Sequence, residues 1–152
     1  MKIMIAYDGS RNAKLALAQV VEMFRCNHPL VILVGVAENP LDATDHNETL
    51  FQQAQQQLRR HLEEGVTFAQ KEGFQADLLL AEGDARKMLL AATRKLAPDL
   101  LVIARHSHRP DGGIIASSLT YFVDELDYMT FGSVSAFLAR RAECPLLILP
   151  SP

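Results

Sequence analysis

The chain has 152 residues, enough for one domain that buries roughly 70% of its unfolded surface without a disulfide or metal staple. Its 18 acidic and 15 basic residues leave a formal charge of −3, which argues against a general nucleic-acid or anionic-membrane binder. Two cysteines, Cys26 and Cys144, lie far apart and outside any Cys-x-x-Cys spacing, so they read as small buried residues in a reduced compartment.

Strands and helices alternate from the first residues. Ile3 to Tyr7 is a short apolar run, and Asp8-Gly9-Ser10 after it is a turn and helix-start signal. Ala13, Leu17, Val20, Val21 and Phe24 recur at helical spacing until Asn27-His28-Pro29 breaks the pattern. Leu30 to Val36 is a second strand, β-branched and uncharged. After a polar connector containing Pro40, a long helix is expected from about Thr49 to Lys71. Its inner stripe is Leu50, Ala54, Leu58, Leu62, Val66 and Ala69; its glutamines read as a solvated face, and Gly73 as its C-terminal stop. Ala76 to Ala81 is a third strand. Gly83-Asp84 opens a helix with Ala85, Met88, Leu89, Ala92 and Leu96 inward, and Pro98 ends it. Leu100 to Ala104 is the fourth strand. A final helix is expected over 132–141 and a fifth strand over 145–149.

This β-α alternation with continuous apolar strands predicts a three-layer, doubly wound parallel sheet, one domain over 1–152. Ligands of such sheets bind beyond the carboxyl ends of the strands, where the winding reverses. Gly132-Ser133-Val134-Ser135 stands at a helix start, where free backbone N–H groups and the helix dipole favour an anion. The first strand opens directly on the sequence and no apolar run approaches the ~18 residues of a membrane helix, so a cytoplasmic protein with no membrane partner is expected.

The stretch between the fourth strand and the last helix is unusual. Arg105, His106, His108 and Arg109 form a short basic cluster; they read either as charge-assisted phosphate ligands or as a solvated loop. Within this insertion, 105–130, the stretch from Pro110 to Met129 is too apolar for a disordered linker. Leu119, Phe122, Val123 and Leu126 have helical spacing, which fits a lid, a dimer surface or a flap on the sheet edge. No Gly-x-Ser-x-Gly elbow, Walker A segment or His-Glu-x-x-His occurs, and no general base is evident, so any ATP hydrolysis would be slow.

Over nearly its whole length the chain resembles the universal stress protein family. The residues that carry the resemblance are Ile5-Ala6-Tyr7-Asp8-Gly9-Ser10, Gly83-Asp84, Pro98-Asp99-Leu100-Leu101-Val102-Ile103, Gly132-Ser133-Val134-Ser135 and Cys144-Pro145-Leu146-Leu147-Ile148. The resemblance implies an adenine nucleotide alpha hydrolase-like sheet in order 3-2-1-4-5 and homodimers paired through the last strand, 145–149. It also implies an adenine nucleotide, ATP or AMP, in the crevice between strands 1 and 4. Asp8 would then lie beside the ribose, or meet Mg²⁺ through a phosphate. Val36 would line the adenine pocket, and Gly132, Ser133 and Ser135 would hold phosphate and ribose oxygens. Ala6, Tyr7, Ala104, Arg105, His106 and Val134 complete the expected lining. ATP-binding members carry Gly-x2-Gly-x9-Gly-Ser/Thr after the fourth strand. Here Ala104 and Ser107 replace the first two glycines, and 24 residues, 108–131, stand where the pattern has nine. Two readings follow, a stress-response regulator that binds an adenine nucleotide, and a dimeric interaction module that binds none and acts on a protein partner. A third is an enzyme acting on an adenylated substrate.

Overall fold

The computed structural model describes residues 1–38, 45–105 and 133–150. Five strands, β1 (Lys2–Ala6), β2 (Leu30–Ala37), β3 (Gln75–Glu82), β4 (Leu100–Ala104) and β5 (Leu146–Leu149), form one parallel sheet in the order β3-β2-β1-β4-β5. Among the described residues four helices cover it: α1 (Arg11–Met23), α2 (Asp45–Lys71), α3 (Ala85–Leu96) and α4 (Ser133–Arg141). The expected order and layering are therefore found.

The strands are apolar on both sides because both sides are covered. Successive side chains point to opposite faces. Ile3, Ile5, Val31, Leu33 and Val102 pack with Leu17, Val20, Val21, Leu62 and Ala69 from α1 and α2. Met4, Ile32, Val34, Leu101 and Ile103 pack with Leu89, Leu90, Ala92 and Leu138 from α3 and α4. The central pair β1–β2 runs Ile3↔Val31, Met4↔Ile32 and Ile5↔Leu33, so a slip of one residue would exchange the two cores.

Helix ends follow local chemistry. The Ser10 hydroxyl accepts the Ala13 N–H at 3.2 Å and caps α1. Asp84 caps α3 by accepting from the Lys87 N–H at 3.1 Å. The Arg86 guanidinium bonded to Asp84, with that backbone donor, holds the Asp84 carboxyl down to about 2. After α2, Gly73 adopts φ +88°; its N–H donates to Gln70 O and the Phe74 N–H to Ala69 O, so the helix is closed in a Schellman turn.

Three sequence expectations are corrected. The long helix starts at Asp45 rather than near Thr49. Its inward stripe holds at Leu58, Leu62, Val66 and Ala69 but not at its start: Leu50 is 50% exposed and Ala54 is exposed, whereas Phe51 is half-buried and Gly65 joins the buried face. Helical periodicity gives the width of a stripe but not its rotation when neighbouring positions are both apolar. Cys26 is exposed in the turn after α1, not buried; Cys144 is half-buried, and that burial pushes its thiol up.

Candidate functional site

The winding reverses at β1, which has β2 on one side and β4 on the other, with α1 and α3 on opposite faces. At the carboxyl ends of these strands lies a crevice of about 620 Å³. Ala6, Tyr7, Asp8, Val36, Ala104, Ser133, Val134 and Ser135, all expected at the site from the sequence, line it together. Residues separated by more than a hundred positions thus meet because parallel strands deliver their ends to one rim.

The β1–α1 turn is the most constrained wall. The Tyr7 N–H still donates to Val34 O at 2.9 Å, which extends the ladder to the crevice edge. Burial of the Tyr7 phenol, then the charges of Glu64 and Asp8, raise its pKa, so it stays a neutral hydroxyl near pH 7. The Asp8 carboxylate accepts the Ser10 N–H at 2.9 Å and closes the turn. Turn-shaping and capping, both open to Asp8 from the sequence, are therefore divided: Asp8 shapes the turn and Ser10 caps the helix. Gly9 between them sits at φ +78°. A Cβ there would lie 2.5 Å from His61 Cγ, so α2 presses an imidazole flat against the turn. His61 Nδ1 is buried with no hydrogen bond, 3.6 Å from Glu64 Oε2.

Two contacts hold the mouth of the crevice. The Asn12 amide donates to Arg105 O at 3.3 Å and ties α1 to the end of β4; the Arg105 N–H donates to Leu149 O at 2.8 Å. Arg105 thus holds β4 to β5 through its backbone and is not part of the crevice lining described. On the far side, Glu38 Oε1 accepts from the first N–H of α3, Ala85, at 3.3 Å. At the start of α4, Ser133 and Val134 line the crevice and Ser135, also in its wall, is buried. The wall is therefore mixed: carboxylates at Asp8 and Glu38, hydroxyls at Ser133 and Ser135, and an apolar side from Val36, Phe51 and Leu58.

Sequence reasoning missed Glu38, Phe51, Leu58, Ala85, Leu89 and Asn12. The only signal for Phe51 and Leu58 was their place on an amphipathic helix, which reads as core; they become site residues because α2 overhangs the end of β2. His106, His108, Arg109 and Gly132, with the rest of the segment 106–132, lie outside the described residues. Among the described residues no cluster of metal-ligating side chains is present, and no helix is long and apolar enough to cross a membrane.

A parallel sheet in this order, with its crevice at the β1–β4 switch, defines a doubly wound α/β protein. The model of the universal stress protein family matches residues 1–150, and the chain belongs to that family. Among solved structures it is similar to the hypothetical protein MJ0577, at 16% identity and TM-score 0.79, covering 99% of this chain and 96% of that one. It is also similar to a universal stress protein family protein from Arabidopsis thaliana with AMP bound, at 21% identity and TM-score 0.69, covering 100% and 92%. A universal stress protein in complex with cAMP aligns at 17% identity and TM-score 0.65, covering 98% and 96%. No curated protein sequence matches the chain.

Proposed function

We propose that this universal stress protein is a regulator that takes an adenine nucleotide, ATP or AMP, in the β1–β4 crevice. The observation that supports this most is the meeting of Asp8, Val36 and the start of α4 around one cavity of about 620 Å³. The residues present suit the parts of such a ligand. Val36, Phe51 and Leu58 offer an apolar side to a planar base, and the Asp8 carboxylate can accept from ribose hydroxyls. Ser133, Ser135 and the positive end of the α4 dipole suit phosphate oxygens. Mg²⁺ would reach Asp8 through a phosphate. Structural neighbours described with AMP and cAMP support the same ligand class. Binding acts by favouring one conformation or partner surface, and the protein works in the cytoplasm. Among the described residues β5 is a four-residue edge strand paired with β4 alone, and we take the homodimer to form there.

Titration calorimetry with AMP, ADP and ATP, each with and without Mg²⁺, should give saturable heat that Asp8→Ala weakens at least about tenfold, because a charge-assisted hydrogen bond is worth about 1.5–3 kcal/mol. No heat and no rise in melting temperature at millimolar nucleotide would overturn the proposal. That outcome would favour the second reading, an interaction module without nucleotide. Ala104 supports this second reading, because it places a side chain on the crevice wall where the family's ATP-binding pattern has glycine.

A further inference from the structure

The helices on the second face of the sheet concentrate positive charge. α3 and α4 carry Arg86, Lys87, Arg94, Lys95, Arg140 and Arg141 and no Asp or Glu, in a chain of formal charge −3. Arg94, Lys95, Arg140 and Arg141 stand in last turns, where a cation offsets the negative end of the helix dipole. The dipole accounts for the sign of those residues but not for the surface between them. There, an open hollow of about 560 Å³ is lined by Lys87, Leu90, Ala91, Arg94, Lys95 and Phe137. Residues 87, 91, 94 and 95 lie three to four apart along α3 and share one outward stripe. Leu90, Ala91 and the half-buried Phe137 make an apolar floor, and lysines stand at its rim. Arg94 is paired with Glu143 at 3.1 Å and Arg86 with Asp84 at 2.9 Å. Lys87 and Lys95 enter no ion pair among the described residues.

We propose that this hollow is a docking site for an acidic peptide segment of a protein partner, one that carries a bulky apolar side chain. Its carboxylates would meet Lys87 and Lys95, and the apolar side chain would fill the floor between α3 and α4. A concave floor is out of reach of a flat anionic bilayer. The Arg141 guanidinium lies 4.5 Å from the Phe137 ring centroid, on a face where a nucleic-acid base would stack. Nothing in this inference depends on the nucleotide reading. α3 has the crevice on one side, at Ala85 and Leu89, and the hollow on the other.

The test is fluorescence anisotropy with three labelled dodecapeptides. One has glutamates with a leucine at every third or fourth position; the second replaces each glutamate by lysine, and the third each leucine by serine. The first should bind the full chain at least about tenfold tighter than either control, and about tenfold more weakly when salt rises from about 0.05 M to about 0.3 M. Lys87→Glu with Lys95→Glu should remove that binding while lowering the melting temperature by no more than about 4 °C, because both side chains are exposed and only Lys95 meets the helix dipole in the last turn of α3. Phe137→Leu should weaken binding and keep its salt dependence. Equal binding of the acidic and basic peptides, survival of binding in the charge-reversed variant, or no binding at about 1 mM peptide would each overturn the proposal. So would tighter binding to phosphatidylserine vesicles than to the peptide, or a self-association abolished by the same double variant.

Discussion

Gly9→Ala is expected to destabilise the fold by about 2–5 kcal/mol, the sum of a left-handed backbone penalty and an overpacking penalty. Both terms are visible at one residue. Gly9 sits at φ +78°, and a Cβ would meet His61 Cγ, Cδ2 and Cβ at 2.5, 2.6 and 2.7 Å. These are atoms close to the α2 backbone, so no rotamer change moves all of them away. Urea unfolding should show a lower midpoint with unchanged slope. A double-mutant cycle with His61→Gly separates the two terms. Removing the whole side chain, Cβ included, removes the collision and leaves the φ penalty, so the cost of Gly9→Ala in that background should fall to about 1–2 kcal/mol. Equal costs in the two backgrounds would show that His61 does not brace the turn. Because Asp8 closes the same turn, Gly9→Ala should also weaken any ligand that Asp8 touches.

This bracing shows where sequence reading stops. The sheet order and core strands were legible because a parallel sheet covered on both faces writes itself as uncharged runs such as Leu30 to Val36. The first wall of the crevice was legible through Asp8-Gly9-Ser10, whose residue types fit few backbones. The second was legible through Ser133 to Ser135 at a helix start. The α2 wall was not. Phe51 and Leu58 line the crevice, and His61 braces its turn, because of how a 27-residue helix lies across β2, which composition does not encode. The exposure of Leu50 beside the half-buried Phe51 has the same origin. Gly65 sets how close that helix lies by packing its backbone against Leu33 and Tyr7.

Gly65→Ala tests this directly, because two principles predict opposite signs. In an exposed helix interior, glycine to alanine stabilises by about 1 kcal/mol. Gly65 is instead buried under α2, where a Cβ would lie 2.6 Å from Leu33 Cδ1 and 3.1 and 3.2 Å from the Tyr7 ring carbon Cζ and its hydroxyl. Leu33 is fully buried and Tyr7 is 3% exposed, so neither can withdraw into solvent. Overpacking of this kind costs about 1–3 kcal/mol, and it must exceed the propensity gain for the substitution to destabilise. The expected net loss is about 1–2 kcal/mol for alanine and about 3 kcal/mol or more for valine, which adds β-branching within a helix. Leu33→Ala should cost about 2–5 kcal/mol alone, yet make Gly65→Ala nearly neutral or stabilising, because the clash partner is gone and the propensity gain remains. If Gly65→Ala stabilises the unaltered chain in urea unfolding, α2 is not packed onto β2 through Gly65. The overhang that brings Phe51 and Leu58 to the crevice would then be lost with it.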